Sequence, residues 1–353
     1  MLLIGYSLIL LASFYLLALV CDRYFVQSLD KIAEKLKMNS DMAGATLMAV
    51  GSSAPELFVS VIALFKPGHE SLGAGTIVGS ALFNILVIIG ASAMVRKAFI
   101  AWQPIVRDLS FYSLSIIWLI ISFWDGKITL MESAIFLLLY VIYVVAVMKW
   151  KKIFPYKDEN KDPIEVAKEG LDKEEKKKSF IALFLNGVKY ILDFIFPKEK
   201  HYWTAFLMSI TFIAGLSWVL VESAVGIADI LHIPAVIVGL TILAAGTSVP
   251  DLISSMIVAR QGRGGMAISN AIGSNIFDIL IGLGLPWAIV GLGGKIVPVA
   301  TENLNSSIIL LFATVASVLF FLMAKKWRIG RLAGISLISI YVLYVIWTIF
   351  QAI

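Results

Sequence analysis

Long apolar runs separated by short polar breaks occupy nearly all of the 353-residue chain. A helix crossing a bilayer needs about 17 to 25 apolar residues. Runs of that size fall near 2–20, 40–65, 73–95, 107–124 and 128–149, and again near 202–224, 234–259, 266–290, 305–323 and 331–352. This pattern predicts an all-α polytopic membrane protein with ten transmembrane helices. Residues 1–21 lack a basic n-region and a convincing small-residue cleavage site, so a first span is expected there rather than a signal peptide. Between the two sets of five spans lies a polar stretch, 150–178, whose charge run from Lys173 to Lys178 is expected in a solvated loop.

Ser179 to Phe196 is apolar enough to suggest an eleventh crossing, yet it carries Asn186, Lys189 and Asp193 and is followed by Pro197. The basic residues decide against it. With ten spans, the breaks after the first, third, seventh and ninth hold Arg23, Lys31, Lys35 and Lys37; Arg96 and Lys97; Arg260 and Arg263; and Lys325, Lys326, Arg328 and Arg331. The alternate breaks hold almost only Lys66, Lys127 and Lys295. By the positive-inside rule the odd breaks and the central loop are cytoplasmic, in the cell membrane, with both ends of the chain outside. An eleventh span would put the basic residues after the ninth on the wrong side, so 179–196 is expected to lie in the interface. The organisation is then a first repeat over 1–149, a cytoplasmic loop with an interfacial helix over 150–200, and a second repeat over 201–353.

Composition agrees with this class: 59% of residues are hydrophobic, 15% are charged, and the mean hydropathy is +0.91. The formal charge of +5 resides mostly in basic residues between spans, and no basic face interleaved with aromatics points to nucleic acid. A single cysteine, Cys21, excludes an intramolecular disulfide and any cysteine-based metal cluster.

One stretch occurs twice. Gly44-Ala-Thr-Leu-Met-Ala-Val-Gly-Ser-Ser-Ala-Pro-Glu-Leu-Phe-Val-Ser60 is echoed by Gly239-Leu-Thr-Ile-Leu-Ala-Ala-Gly-Thr-Ser-Val-Pro-Asp-Leu-Ile-Ser-Ser255. A second pair follows in the same order, Gly79-Ser-Ala-Leu-Phe-Asn-Ile-Leu86 and Gly273-Ser-Asn-Ile-Phe-Asp-Ile-Leu280, again about 195 residues apart. Five spans precede the second half, so the two copies are expected to cross the membrane in opposite senses. That is an inverted repeat, a transporter signature in which two halves rock about a shared midplane site.

The chemistry of these stretches is that of oxygen. Pro55 and Pro250 lack an amide hydrogen, and each is expected to loosen its helix and free the carbonyl of Gly51 or Gly246. Residues three and four apart share a helix face, which puts Ser52 and Ser53 beside Glu56, Thr247 and Ser248 beside Asp251, Ser80 beside Asn84 and Ser274 beside Asp278. An ionisable group in a membrane span marks a functional site. A donor set without His or Cys suits hard cations such as calcium or sodium, and calcium takes about six to eight oxygens. Three carboxylates, Glu56, Asp251 and Asp278, exceed what one calcium neutralises, so a proton, a co-bound monovalent cation or partial hydration must balance the remainder. Ser60, Ser255, Thr46 and Thr241 are expected to bond back to a carbonyl of their own helices or to serve as packing residues. Glu222 and Glu132 are expected to be interfacial or paired, and His69, His201 and His232 to be solvated at span ends.

These motifs resemble the two alpha-repeats of the cation/calcium exchanger superfamily. The second, with Ile257-Val-Ala-Arg-Gln-Gly262 and Leu285-Pro-Trp287, is most similar to the potassium-dependent sodium/calcium exchangers. The resemblance implies an antiporter, not an enzyme, that needs no cofactor. Several sodium ions replace one calcium by alternating access, as the first helix of each half slides across the motif bundle. It implies Glu56 and Asp251 as the central calcium ligands. It also implies Ser52, Ser53, Thr247, Ser248 and the carbonyls of Ala49 and Ala244 as ligands serving both ions, with Ser80, Asn84, Ser274 and Asp278 completing the sodium sites. An Asp at the place of Asp278 is linked in the potassium-dependent branch to potassium co-transport, which stays open here. The central loop of roughly 50 residues is too short for the large regulatory domains of animal sodium/calcium exchangers. The implied partners are the lipid bilayer, calcium and sodium, and no oligomer is required.

Three alternatives stand beside this reading. A calcium/proton exchanger would use the same acidic pair, although such relatives usually carry Glu in both repeats. An intramembrane aspartyl protease needs Tyr-Asp and Gly-x-Gly-Asp, whereas here Gly282-Leu-Gly284 is followed by Leu285. A cation channel would be expected as an oligomeric pore with a symmetric filter.

Overall fold

The computed structural model describes residues 2–35, 49–95, 98–99, 102–154, 180–196, 201–260, 264–299, 304–324 and 327–352. Gly44 to Met48, Lys37, Arg96, Lys97, Arg263, Lys325, Lys326 and most of the central loop, including the charge run, lie outside them. In chain order the helices are α1 (Leu2–Val20), α2 (Gln27–Lys35), α3 (Ala49–Ser52), α4 (Ala54–Leu64), α5 (Ser71–Phe83), α6 (Ile89–Val95), α7 (Trp102–Ser122), α8 (Leu130–Ile153), α9 (Phe180–Ile195), α10 (Tyr202–Leu231), α11 (Ala235–Val238), α12 (Ala244–Thr247), α13 (Val249–Arg260), α14 (Gly264–Phe277), α15 (Gly284–Leu292), α16 (Asn305–Ala324) and α17 (Arg331–Ala352). Turns of π-helix at Cys21–Val26, Asn84–Ile88, Gly239–Leu243 and Asp278–Leu283 join consecutive pieces. Four short strands, β1 (Ala98–Phe99), β2 (Lys127–Ile128), β3 (Val297–Pro298) and β4 (Arg328–Ile329), make two antiparallel ribbons, β1 with β4 and β2 with β3.

Among the described residues eight helical stretches are long and apolar enough to cross a membrane, and two shorter apolar ones, Ala54–Leu64 and Ala235–Thr247, lie where the second and seventh spans are expected. The shorter two are the proline-bearing motifs. Their helices break at Ser53 and Ser248, whose backbone angles, φ −92°, ψ 5° and φ −85°, ψ 0°, are nearly the same. Each break falls two residues past the glycine and two before the proline, because the proline cannot donate into the preceding turn. The carbonyls of Ala49 and Ala244 still accept the amides of Ser53 (3.0 Å) and Ser248 (3.3 Å).

One expectation is corrected. Arg23, Lys31 and Lys35 do not occupy a loop: the first helix runs on through a π-helical turn into α2. The continuation is amphipathic, with Phe25, Ser28 and Ile32 buried, so it has a face to pack as well as one to solvate. Glu132 closes a capping box with Thr129 at the start of α8, Glu222 pairs with Lys66, and His201 and His232 are exposed at the two ends of α10, as expected. His69 departs from the expectation of a solvated ring: it is half-buried, and its Nδ1 is shut off from solvent without a partner among the described residues.

The apolar interior is in two parts. The larger, around Ile77, Leu86, Tyr112, Phe136, Ile276 and Leu280, gathers α5, α7, α8, α14, α16 and α17. The smaller, around Leu10, Leu17, Phe25, Leu192, Phe196 and Leu220, joins α1 and α10 and takes in the end of α9. Charge also ties α9 to the first helix, where Arg23 approaches Asp193 at 3.5 Å and Tyr24 stacks on Phe196 with ring centroids 3.9 Å apart. Tyr190 and Phe194 point away from this contact, 78% and 88% exposed.

Candidate ion-binding site

The two broken helices meet α5 and α14 where the two parts of the interior adjoin, with Leu64, Ile237 and Leu240 in the larger part and Val59, Ala63 and Leu243 in the smaller, and the four motifs converge there. Glu56, Asp251 and Asp278 are each 1% exposed. Asn84, Ser53, Ser80, Thr247, Ser248 and Ser274 are fully buried around them, and Ala49 and Ala244 are buried too. Ser52 alone is partly exposed.

Two clusters form, each drawing on both halves of the chain. The Ser80 and Ser248 hydroxyls lie 2.7 Å apart, and each is 3.4 Å from Glu56 Oε1. Thr247 also borders Glu56. In the second cluster, Ser52 and Ser274 approach to 3.2 Å, and both hydroxyls face Asp251. Helix α5 supplies Ser80 where α14 supplies Ser274, so the clusters are near images of one another, offset by one residue between Ser52 and Ser248.

The orientation of the hydroxyls suits cations. Thr247 donates to the Leu243 carbonyl at 3.0 Å, and Ser52 donates toward the Ala49 carbonyl at 3.4 Å. A hydroxyl that spends its hydrogen on a carbonyl keeps its lone pairs for a metal. Glu56 Oε2 and both carboxylate oxygens of Asp278 are buried without a hydrogen-bond partner. Ser53 faces Asp278 without closing a well-formed hydrogen bond. Buried acceptors left in this state are costly unless something positive meets them. Among the described residues no three His, Cys, Asp or Glu side chains come close enough to hold a metal by themselves, so hydroxyls and carbonyls must complete any coordination sphere.

Asn84 stands beside this pair of clusters. Its Nδ2 donates to Asn275 Oδ1 at 2.9 Å, which leaves its own Oδ1 buried and without a partner. Asn275 is held in turn by the Ala81 carbonyl (3.1 Å) and the Tyr112 hydroxyl (3.0 Å). Sequence reasoning did not single out Asn275 or Tyr112. The position equivalent to Asn275 in the first repeat is Ala81, so duplication carried no signal there, although an amide beside Ser274 in an apolar span could have been noticed. Of the residues expected to back-bond or pack, Thr241 donates to the Ile237 carbonyl at 2.7 Å, while Ser255 is buried with its hydroxyl unpartnered, as a packing residue.

The family model of the sodium/calcium exchanger protein matches residues 6–149 and 201–350. The sodium/potassium/calcium exchanger 4 of Mus musculus is 30% identical over 95% of this chain and 79% of its own length. The sodium/potassium/calcium exchanger 2 of Gallus gallus is 30% identical over 94% of this chain and 75% of its own length. Among solved structures, the sodium-calcium exchanger NCX_Mj soaked with sodium and strontium superposes with a TM-score of 0.57 at 25% identity, covering 97% of each chain.

Proposed function

The chain belongs to the sodium/calcium exchanger family, and on that premise we propose that Glu56 and Asp251 form the central calcium site of a sodium/calcium antiporter. The protein is a multi-pass membrane carrier, not an enzyme, and moves calcium and sodium without a cofactor. One observation carries the site assignment. Two buried carboxylates from opposite halves of the chain each sit among hydroxyls drawn from both halves, at the two places where a membrane helix is broken. Serving both ions in turn are Ser52, Ser53, Thr247, Ser248 and the carbonyls of Ala49 and Ala244. Ser80, Asn84, Ser274 and Asp278 complete the sodium sites.

The two halves, 1–149 and 201–353, form inverted repeats about this site. Matched breaks at Ser53 and Ser248 and matched π-helical turns after Phe83 and Phe277 support that reading. The 150–200 segment is cytoplasmic, with α9 lying in the interface. The ribbon of β1 with β4 supports this, because it holds the end of the third span beside the end of the ninth. Without α9, six crossings separate the two strands, by α7, α8, α10, the broken 235–260 segment, α14–α15 and α16; a crossing by α9 would make the number odd and part them. Both ends of the chain are then outside, in the cell membrane. One chain contains the whole site.

Helices α1 and α10 pack on each other and, in the smaller core, on Ala54, Val59, Ala63 and Leu243 of the broken helices. Sliding of the pair across that contact exposes the ligands to one side at a time. Sodium entering down its gradient takes up oxygens that calcium uses, so the ions compete and exchange. Radioactive calcium uptake into sodium-loaded proteoliposomes diluted into sodium-free buffer tests this. Uptake driven by the outward sodium gradient is expected. Uptake driven only by a proton gradient would make the protein a calcium/proton exchanger.

A further inference from the structure

Helix α7 buries an adjacent ion pair, Arg107 and Asp108, that belongs to neither repeat motif. Arg107 Nε donates to Asp108 Oδ1 at 2.7 Å, and the two side chains are 3% and 1% exposed. Two hydroxyls from other helices reach the same carboxylate. Tyr143 of α8 donates to Oδ1 at 3.2 Å, and Ser269 of α14 donates to Oδ2 at 3.3 Å. One turn further along α7, the Tyr112 hydroxyl accepts the amide of Asn275 from the same α14. Two polar contacts from one helix therefore grip a second helix, at Ser269 and at Asn275.

What they grip is the helix that carries Ser274 and Asp278. Ser269 and Gly273, four apart, share a face of α14. The Tyr143 hydroxyl lies 3.8 Å from where a side chain on Gly273 would start, so that face lies against the Asp108 cluster. Successive helical residues are about 100° apart around the axis, so Ser274 and Asp278 point to a neighbouring face, toward Glu56 and Asp251. Rotating α14 by even a fraction of one residue would turn both ligands off the site. Apolar packing tolerates such rotation; a carboxylate held by hydroxyls from two other helices does not. Burying an ion pair contributes little net stability compared with an apolar replacement, and its established use is to specify one arrangement.

We propose that Asp108 is a positioning residue for ion exchange: charge-balanced by Arg107 and bonded to Tyr143 and Ser269, it sets the rotation of α14 and so the aim of Ser274 and Asp278. This rests on the reading of those two residues as ion ligands. It assigns a task to the fourth span, which hydropathy alone presents as plain apolar filler.

The test is the dependence of calcium uptake by full-chain proteoliposomes on the sodium loaded inside them, with KM read as the half-saturating sodium concentration and Vmax expressed per inserted molecule. Asp108→Asn would change the charge of the cluster as well as its hydrogen bonds, so the informative variant is Tyr143→Phe combined with Ser269→Ala, which removes both hydroxyls and keeps the ion pair. It is expected to raise the KM for sodium about five- to tenfold, the scale of one to two lost hydrogen bonds, with Vmax within about twofold of the parent. Ser269→Thr in the parent keeps a hydroxyl at that position and is expected to keep the parental KM. Ser110→Ala removes a hydroxyl that bonds only its own helix, at Val106, and is expected to change neither parameter. If the double variant fails to insert, Ser269→Ala alone carries the same KM comparison. An unchanged KM, with Vmax lowered or not, overturns the proposal. Asp278→Asn and Ser274→Ala, measured alongside, separate the two failures. If they raise the KM and the double variant does not, only the positioning role falls; if they leave it unchanged too, the ligand assignment itself is wrong.

Discussion

Ser80 and Ser248, 168 residues apart in the chain, bring their hydroxyls to 2.7 Å and both lie 3.4 Å from the same oxygen of Glu56. A carboxylate of the first half is thereby enclosed by a hydroxyl from each half, and its other oxygen is left free inside the protein. Asp251 meets the corresponding pair, Ser52 and Ser274. An ion held between Glu56 and Asp251 would touch both halves at once, which is what lets its binding depend on how the moving helices are set.

Glu56→Gln and Asp251→Asn keep the shape of each side chain and remove its charge. Calcium affinity depends on the number of charged ligands, so each variant is expected to lower sodium-driven calcium uptake by about a hundredfold or more. Protein amount and thermal unfolding should stay near the parental values, because a neutral amide costs less to bury than a carboxylate. Either variant exchanging calcium at normal rates would place the central site elsewhere.

Asp278 supplies a third carboxylate, and neither of its oxygens has a hydrogen-bond partner. Calcium at Glu56 and Asp251 leaves this charge unbalanced, and a co-bound potassium ion would balance it. Potassium is expected to stimulate calcium uptake by the parent protein, and Asp278→Asn is expected to remove that stimulation while leaving sodium-driven uptake measurable. Equal stimulation of both proteins would assign the third carboxylate to a proton or to sodium.

The motif helices were legible because lipid makes polar residues conspicuous. A midspan Glu56 flanked by hydroxyls, with Asp251 repeating the arrangement five spans later, has few explanations other than an ion site. The break beside each proline was legible for the same reason, although its position at Ser53 and Ser248 depends on how the following helix restarts. Arg107 and Asp108 were not legible. They sit at the lip of an apolar window, where a charged pair ordinarily marks the membrane surface, and only the earlier start of α7 at Trp102 carries them inside. Arg23, Lys31 and Lys35 misled in the opposite direction, since charge density suggests a loop and an amphipathic helix carries the same charges on one face. Asn275 gave no repeat signal, because its counterpart is the small Ala81 whose carbonyl it bonds.

Placing α9 in the interface makes a labelling prediction. Cys21 is buried, so it contributes little background to thiol labelling of the folded protein. A cysteine at Asp125, before β2, is expected to react with a membrane-impermeant reagent on intact cells. One at His201, directly before α10, is expected to react only after permeabilisation. If both positions react on intact cells, α9 crosses the membrane and the orientation of the second half is reversed.

Gly79 immediately precedes Ser80, and a side chain there would start 2.3 Å from the Leu240 carbonyl oxygen and 2.7 Å from the Ala244 side chain. Both belong to the broken helix of the second half, and the nearer atom is backbone, so it cannot swing aside. Gly79→Ala must therefore push α5 away from that helix, and Ser80 moves with it, away from Ser248. Overpacking of this kind costs about 1–3 kcal/mol, so the melting temperature in detergent should fall and sodium-driven calcium uptake should drop with it. Gly215→Ala is the matched control, since a side chain added there in α10 meets nothing within 4 Å. Alanine favours a helix over glycine by about 1 kcal/mol, so that variant should melt at or above the parental temperature and transport normally. Parental stability in Gly79→Ala would show that the two halves are not held together at this crossing, and the coupling of Ser80 to Ser248 would then need another support.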